Sequence, residues 1–361
     1  MIFYFTTIFV LMMFSIGKLR NVKQKVVLRL AMIILCFFAT VRSLEIGNDT
    51  QTYYNLFMNI CRNHNLNLLS SRYEIGYLWL NELFSHLTNN FWVFLSIINI
   101  IIYYAYYKFI DTYSINPIMS VFLFFVLGTW GQTMNIIRLQ LALAMIIYAF
   151  LFKGRGNKCL CAICTVLAVM CQRISLVYVI GLFVPKKVTR KEYIIVATGA
   201  MVVYVCLPSF MSLVTNYIPY YRTYLTSSTY KLDEIQFASI IGVFMRLIVF
   251  LFSLYVYNRQ SLKMYDYEAK AFSLQMYMVF IAMLIMILSL RFNLLDRCGY
   301  FFCLFEIVLL PNAIKHMQMK NNRFIVMGIV LGICVLQFAI INIYRPNWNH
   351  IYPYKTILFG D

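Results

Sequence analysis

The chain has 361 residues, of which 62% are apolar and only 12% charged, with a formal net charge of +18. Soluble domains carry about half apolar and a quarter charged residues, so this balance excludes an ordinary soluble fold and places the chain in lipid. The positive charge would suggest nucleic acid in a soluble protein, but here it falls in short clusters between apolar runs and reads as topology signalling, with no nucleic-acid partner.

The apolar runs are long rather than alternating, which predicts membrane-spanning α-helices and not barrel strands. With roughly 17 to 25 residues per span, helices are expected at 1–16, 26–41, 91–109, 117–131, 137–152 and 159–172, then at 174–185, 193–210, 237–257, 271–290, 299–314 and 324–343. The first run has no basic residue ahead of it and no small-residue cleavage site after it, so it is expected to be retained as a helix. The predicted fold is therefore all-α: a polytopic membrane protein of about twelve transmembrane helices, forming a single membrane domain over residues 1–361. Two large outer loops, 42–90 and 211–236, interrupt it. Within the first, Tyr53, Tyr54, Leu56, Phe57 and Ile60 recur at helical spacing, and so do Tyr77, Leu78, Leu80, Leu83 and Phe84. That pattern predicts interfacial amphipathic helices.

Lysines sort the loops by side. Thirteen of fifteen, from Lys18, Lys23 and Lys25 to Lys315 and Lys320, fall on one face, and only Lys231 and Lys355 are misplaced. By the positive-inside rule that face is cytoplasmic and both termini are outside. Trp79, Trp92, Trp130 and Trp348 are all expected at or beyond outer helix ends, where amphipathic rings favour the headgroup layer.

Five cysteines, Cys36, Cys171, Cys206, Cys303 and Cys334, lie in or beside apolar runs as small core residues. Cys159, Cys161 and Cys164 are closely spaced, but no histidine follows at finger spacing, so neither a metal site nor a cofactor is expected. Cys61 and Cys298 both fall in outer loops, and sequence leaves their pairing open.

Arginine is sorted differently from lysine. Of sixteen, only Arg20, Arg29, Arg155, Arg190, Arg259 and Arg323 are cytoplasmic. Arg138 opens a span in MNIIRLQLALA, Arg173 separates two apolar runs, Arg246 lies inside FASIIGVFMRLIVF, and Arg291 and Arg297 flank RFNLLDRCGYFF. An arginine at a helix centre costs about 2.5 to 3.5 kcal/mol on insertion scales, so such residues default to functional sites. The plain alternative is pairing with Glu45, Asp49, Glu74, Glu82 or Asp296. Guanidinium forks at the lipid boundary suit a ligand with an apolar tail and a diphosphate. The outer tyrosines, among them Tyr53, Tyr54, Tyr73 and Tyr77 in the first loop and Tyr217, Tyr220, Tyr221, Tyr224 and Tyr230 in the second, offer ring faces and hydroxyls for sugars, or simply an aromatic belt.

Residues 42–57, RSLEIGNDTQTYYNLF, resemble the first outer motif of the EpsG-like family of Wzy-type polysaccharide polymerases. EIGY at 74–77 is similar to its Glu-Gly-Tyr element, NIIRLQLA at 135–142 to its Asn-x-x-Arg-Gln-like helix start, and RPNWNHIYPYK to its C-termini. Two departures stand out: Gln172, Arg173, Ile174 and Ser175 replace a common His and Ser, and Leu139 separates Arg138 from Gln140.

The resemblance implies a multi-pass protein of the bacterial cytoplasmic (inner) membrane, of GT-C-like glycosyltransferase architecture, with its active site facing outside. It implies transfer of a growing glycan from undecaprenyl diphosphate to a hydroxyl of a lipid-linked repeat unit, the polymer being O-antigen, capsule or exopolysaccharide. Partners would be that lipid-linked oligosaccharide, membrane lipid and a chain-length regulator. In this scheme Asp49 or Glu74 receives the acceptor proton, Arg138, Arg173, Arg291 and Arg297 hold the diphosphate, and Arg42 and Glu45 order the loop beside them. Tyr53, Tyr77, Gln140 and Tyr300 complete the substrate-binding set. The absence of an Asp-x-Asp pair argues against metal-bound nucleotide-sugar chemistry. The competing class is a flippase for the same repeat unit. A membrane acyltransferase ranks lower, because His64, His86, His316 and His350 all lie in loops.

Overall fold

The computed structural model describes residues 2–16, 21–63, 73–185, 188–217, 237–317, 320–344 and 349–358. Among them the chain is all-helical, as the long apolar runs require in a medium that cannot hydrogen-bond to exposed backbone. Six helices are long and apolar enough to cross a membrane, or seven if one bent pair counts as a span.

The chain forms two compact units: residues 1–182 with 319–361, and residues 183–318. The first contains α1 (Ile2–Ile16), α2 (Asn21–Thr40), α3 (Thr50–Asn63), α4 (Ile75–Ser85), α5 (Phe91–Tyr113), α6 (Pro117–Val126), α7 (Thr129–Asn135), α8 (Ile137–Gly154), α9 (Lys158–Cys171), α10 (Val179–Leu182) and the late α16 (Lys320–Tyr344). The second contains α11 (Arg190–Tyr217), α12 (Phe237–Gln260), α13 (Asp266–Ser289), α14 (Asp296–Cys303) and α15 (Glu306–His316).

Both amphipathic segments of the first loop are helices. α3 buries Tyr53, Leu56, Phe57 and Ile60 of the stripe its periodicity marks and leaves Tyr54 half-buried, whereas α4 buries Tyr77 and Leu78 and leaves Leu83 exposed. Three expected single helices are broken. Residues 117–131 divide into α6 and α7, bent by 55°; helical bonding stops at Leu127, and Gly128 takes the left-handed conformation that closes such helix ends. Residues 174–185 form a 3-10 turn, Arg173–Tyr178, and the single turn of α10, because Gln172 is extended before them and Pro185 follows. Residues 299–314 split at Leu304 and Phe305, where bonding tightens to the i to i+3 pattern before Glu306 starts α15. The expected loop 211–236 begins as helix, since α11 continues to Tyr217; residues 218–236 lie outside the described residues, with Tyr220, Tyr221, Tyr224 and Tyr230.

The core of the first unit is aromatic. Phe122, Phe124 and Phe125 of α6 and Tyr106 of α5 are fully enclosed. So is Trp130, which corrects its expected place in a headgroup belt: its indole N–H donates to the Leu35 carbonyl at 3.2 Å and its ring stacks on Phe125 at 4.9 Å. Trp79 is exposed, and Trp348 lies outside the described residues. Lipid tails are as apolar as these rings, so close van der Waals packing rather than water exclusion holds them together.

Residues 349–358 cross this unit as a strap over residues 41–50. Ser43 N–H donates to the Lys355 carbonyl at 3.0 Å, Ile357 N–H to Val41 at 3.0 Å and Gly47 N–H to His350 at 2.9 Å. The Tyr4 hydroxyl donates to the Ile351 carbonyl at 2.5 Å. The loop that leads into α3 is thereby fixed from both sides.

Candidate active site

α4 begins at Ile75 because Glu74 is the last extended residue before it, with φ −69° and ψ 142°. In the first turn of α4, Gly76 lies directly against α9. A Cβ at this position would stand 2.6 Å from Met170 Cβ and 2.8 Å from the Met170 carbonyl carbon and oxygen, so only hydrogen fits. That close approach carries Glu74 to the end of α9, where the chain turns through Gln172 into Arg173.

Glu74 then ties two segments together. Its Oε2 accepts a hydrogen bond from Arg138 Nη1 at 2.5 Å, and its Oε1 accepts the Arg173 backbone N–H at 3.4 Å. Arg138 is the second residue of α8, where the helix macrodipole is positive and disfavours a cation. A charge-assisted bond to Glu74 offsets that placement. The pair is largely enclosed, with side-chain exposures of 20% for Arg138 and 14% for Glu74.

Aromatic rings complete the surroundings. The Arg138 guanidinium covers the Tyr73 ring at 4.9 Å, a cation–π contact. It also lies against Tyr53 on α3, whose ring meets Tyr77 of α4 edge-on at 5.8 Å. Burial pushes the Tyr53 and Tyr77 hydroxyls above the usual tyrosine range, with Arg138 pulling the other way, so both remain protonated donors at neutral pH. Asp49 precedes α3, its carbonyl accepting Tyr53 N–H at 3.0 Å, and its half-buried side chain acts on the same Tyr53. The Arg173 side chain is exposed. One carboxylate, two arginines, a second acid and three tyrosines thus meet from segments far apart in sequence. A family model for the EpsG family matches residues 25–356.

The chain belongs to the EpsG family. This is a family of membrane-associated polysaccharide polymerases, and the matched span contains every residue of the Glu74 site. No curated protein and no solved structure matches the chain.

Other residues singled out in this EpsG-family sequence lie elsewhere. Arg42 is wholly enclosed. Its guanidinium donates to the Ala39 carbonyl, to the Met134 carbonyl at 3.1 Å and to Thr50 Oγ1 at 3.4 Å, so it orders the loop from inside. Burial pushes it down to about 10, still charged at neutral pH. Glu45 is exposed and pairs with Lys355 of the strap at 2.7 Å, which gives one lysine misplaced by the topology a local partner. Gln140 is buried between α5 and α8, its Oε1 accepting the Tyr106 hydroxyl at 2.6 Å, and does not share the Glu74 cluster.

The second unit has arrangements of its own. Arg291 Nη1 donates to the Tyr204 carbonyl at 2.7 Å and its guanidinium covers the same residue's ring at 5.1 Å. The Tyr300 hydroxyl donates to Asp296 Oδ2 at 3.2 Å, with Arg297 beside that carboxylate. Arg246 lies 2.7 Å from Glu306, its Nη1 donating to the Gly242 carbonyl at 2.9 Å. Sequence reasoning missed Glu306, although a lone acid inside FFCLFEIVLL was the available signal. Tyr73, expected as a sugar platform, has its ring under Arg138. Cys61 and Cys298 are both free thiols.

Proposed function

We propose that the chain polymerises a lipid-linked oligosaccharide at the outer leaflet of the bacterial cytoplasmic membrane. It moves a growing glycan from undecaprenyl diphosphate to a hydroxyl of a single lipid-linked repeat unit. The observation that carries this reading is the Glu74 carboxylate held between Arg138 and the Arg173 backbone, at the start of an apolar helix.

The chemistry follows from competition for one guanidinium. A diphosphate entering beside Arg138 and the exposed Arg173 offers more negative charge than one carboxylate and draws Arg138 towards itself. Glu74, relieved of its cation, takes the proton of the acceptor hydroxyl, with Asp49 the second acid at hand. The acceptor oxygen forms its bond to the anomeric carbon as the bond from that carbon to the phosphate oxygen breaks. Undecaprenyl diphosphate leaves with the electron pair, its charge stabilised by the two arginines. Tyr53 and Tyr77 keep protonated hydroxyls for the sugar.

The test is the surface polymer of a strain carrying Arg138→Ala or Glu74→Gln. Losing one preorganised charge partner costs about 10² to 10³ in rate, so both variants should display single repeat units at the surface with no ladder above them. Full-length polymer from Arg138→Ala sinks the assignment. Repeats trapped inside the cell would favour a flippase instead.

A further inference from the structure

Against α3 lies an open cleft of about 480 Å³, with Tyr54 and Met58 of that helix on one side and residues 88–92 on the other. Its walls are aromatic and braced. Tyr54 meets Phe91 edge-on at 5.4 Å, and Phe91 meets Trp92 at 5.5 Å. Its floor is polar and neutral. Thr88 Oγ1 accepts the Asn90 N–H at 3.0 Å, and Asn90 Oδ1 accepts the Trp92 N–H at 2.8 Å, which fixes the turn and leaves the exposed Asn89 amide outside that capping pattern.

Among the described residues, no lysine, arginine, aspartate or glutamate lines the cleft. A phosphate, whether of a lipid headgroup or of the donor, is held by cations or bidentate forks, so the lining selects against it. Rings that stack and amides that both donate and accept suit the apolar faces and hydroxyls of a sugar. The volume falls in the range of about 300 to 1,000 Å³ usual for small-ligand sites. Tyr53 and Tyr54 are neighbours in sequence on α3 but turn to different sides of it, one buried against Arg138 and the other lining the cleft.

We propose that this cleft is a glycan subsite, binding an uncharged stretch of the polysaccharide with pyranose faces on Tyr54 and Trp92 and hydroxyls on the amides of Asn89 and Asn90. The identity of that glycan as the chain's own polymer rests on the polymerase reading.

The experiment uses the full chain in lipid nanodiscs and, as probe, phosphate-free oligosaccharide fragments cut from the host's own surface polymer. Saturation-transfer NMR and titration should show binding that weakens about tenfold in Trp92→Ala, the loss of one stacking face. Asn89→Ala, at an exposed position without a capping role, should weaken it severalfold and guards against misfolding of the tryptophan variant. Absence of binding to the native chain, or equal binding by both variants, overturns the subsite. So does competition by glycerol phosphate, which would make the cleft a headgroup site. Polymer persisting in a strain that lacks the gene would overturn the polymerase reading, an outcome seen in the gel and not in the titration.

Discussion

Arg42 and Arg138 are both removed from water within the same unit, yet they stand at opposite kinds of helix end. Arg42 reaches the last carbonyls of α2 and α7, Ala39 and Met134, where the macrodipole is negative and a cation is welcome. The Ser43 N–H that could have bonded Ala39 is taken by Lys355 of the strap, so the guanidinium fills the vacant place. Arg138 sits at the positive end of α8 and relies on Glu74. Arg42 is held by two backbone carbonyls and Thr50 Oγ1, whereas Arg138 has one carboxylate, which on the proposed polymerase reading a substrate anion would displace. Burial of arginine therefore marks two different things here, a helix cap and one member of an ion pair.

The largest effect that would break this contrast belongs to Arg42→Ala. Each buried carbonyl left without its donor costs about 1 to 3 kcal/mol, so the variant should lose most of its accumulation in membranes and unfold well below the native temperature. Arg42→Lys, a point charge without the fork, should recover only part of that. If Arg42→Ala instead accumulates normally and loses activity alone, Arg42 belongs with Arg138 as a substrate ligand and the distinction fails.

Next comes Gly76→Ala, which acts on the site without touching any charge. The added methyl meets the Met170 backbone, which cannot yield as a flexible side chain would, so α4 must move off α9 and carry Glu74 away from Arg173. A misplacement of about 1 Å can cost a hundredfold in rate. The variant should therefore accumulate better than Arg42→Ala yet make far less polymer, read as a ladder cut short in the gel at near-native protein level. Equal losses of protein and polymer would show that Gly76 serves stability alone.

These two positions also show what the sequence could reveal. The helices at 91–113, 137–154 and 266–289 are legible because a continuous apolar run has no other solution in lipid. The amphipathic stripe of α3 is legible because Tyr53, Leu56, Phe57 and Ile60 fall on one side at a 3.6-residue period. The breaks at Gly128 and Leu304 are not, because they depend on where a helix end finds a partner, and both sit inside apolar runs that carry no local stop as strong as proline. Sequence placed Glu74 and Arg138 in one candidate set through their motifs and Arg173 through its place between two apolar runs, but the contact joining them runs through Gly76 and Met170, which no periodicity reports. The loop-ordering role of Arg42 is legible because it closely follows the α2 C-terminus that it caps, whereas the partner of Arg246 is not, since Glu306 stands on another helix far away in sequence.

A smaller effect comes from the strap. Tyr4→Phe removes the hydroxyl that donates to the Ile351 carbonyl while keeping the ring against Trp130 and Phe125. One such bond is worth about 0.5 to 1.5 kcal/mol net, so thermal unfolding should shift modestly and polymer length should be unchanged. A shortened ladder from Tyr4→Phe would mean that the strap does more than hold residues 41–50 and that its tension is felt at Asp49 and Tyr53.

The smallest effect tests the exposed end of the same loop. Lys355 holds the Glu45 carboxyl below the usual glutamate range, so the pair helps the folded state above that range, and its contribution fades as pH falls through the folded-state value. Both side chains are well exposed, at 43% for Lys355 and 58% for Glu45, and surface pairs of this kind are weak and screened by salt. Glu45→Gln should therefore leave polymer unchanged and lower neutral-pH unfolding only slightly, and that small difference should close as pH falls through the folded-state value of Glu45, which lies below the usual glutamate range. A large loss at neutral pH would give Glu45 a partner other than Lys355, and with it a place at the substrate rather than at the edge of the loop.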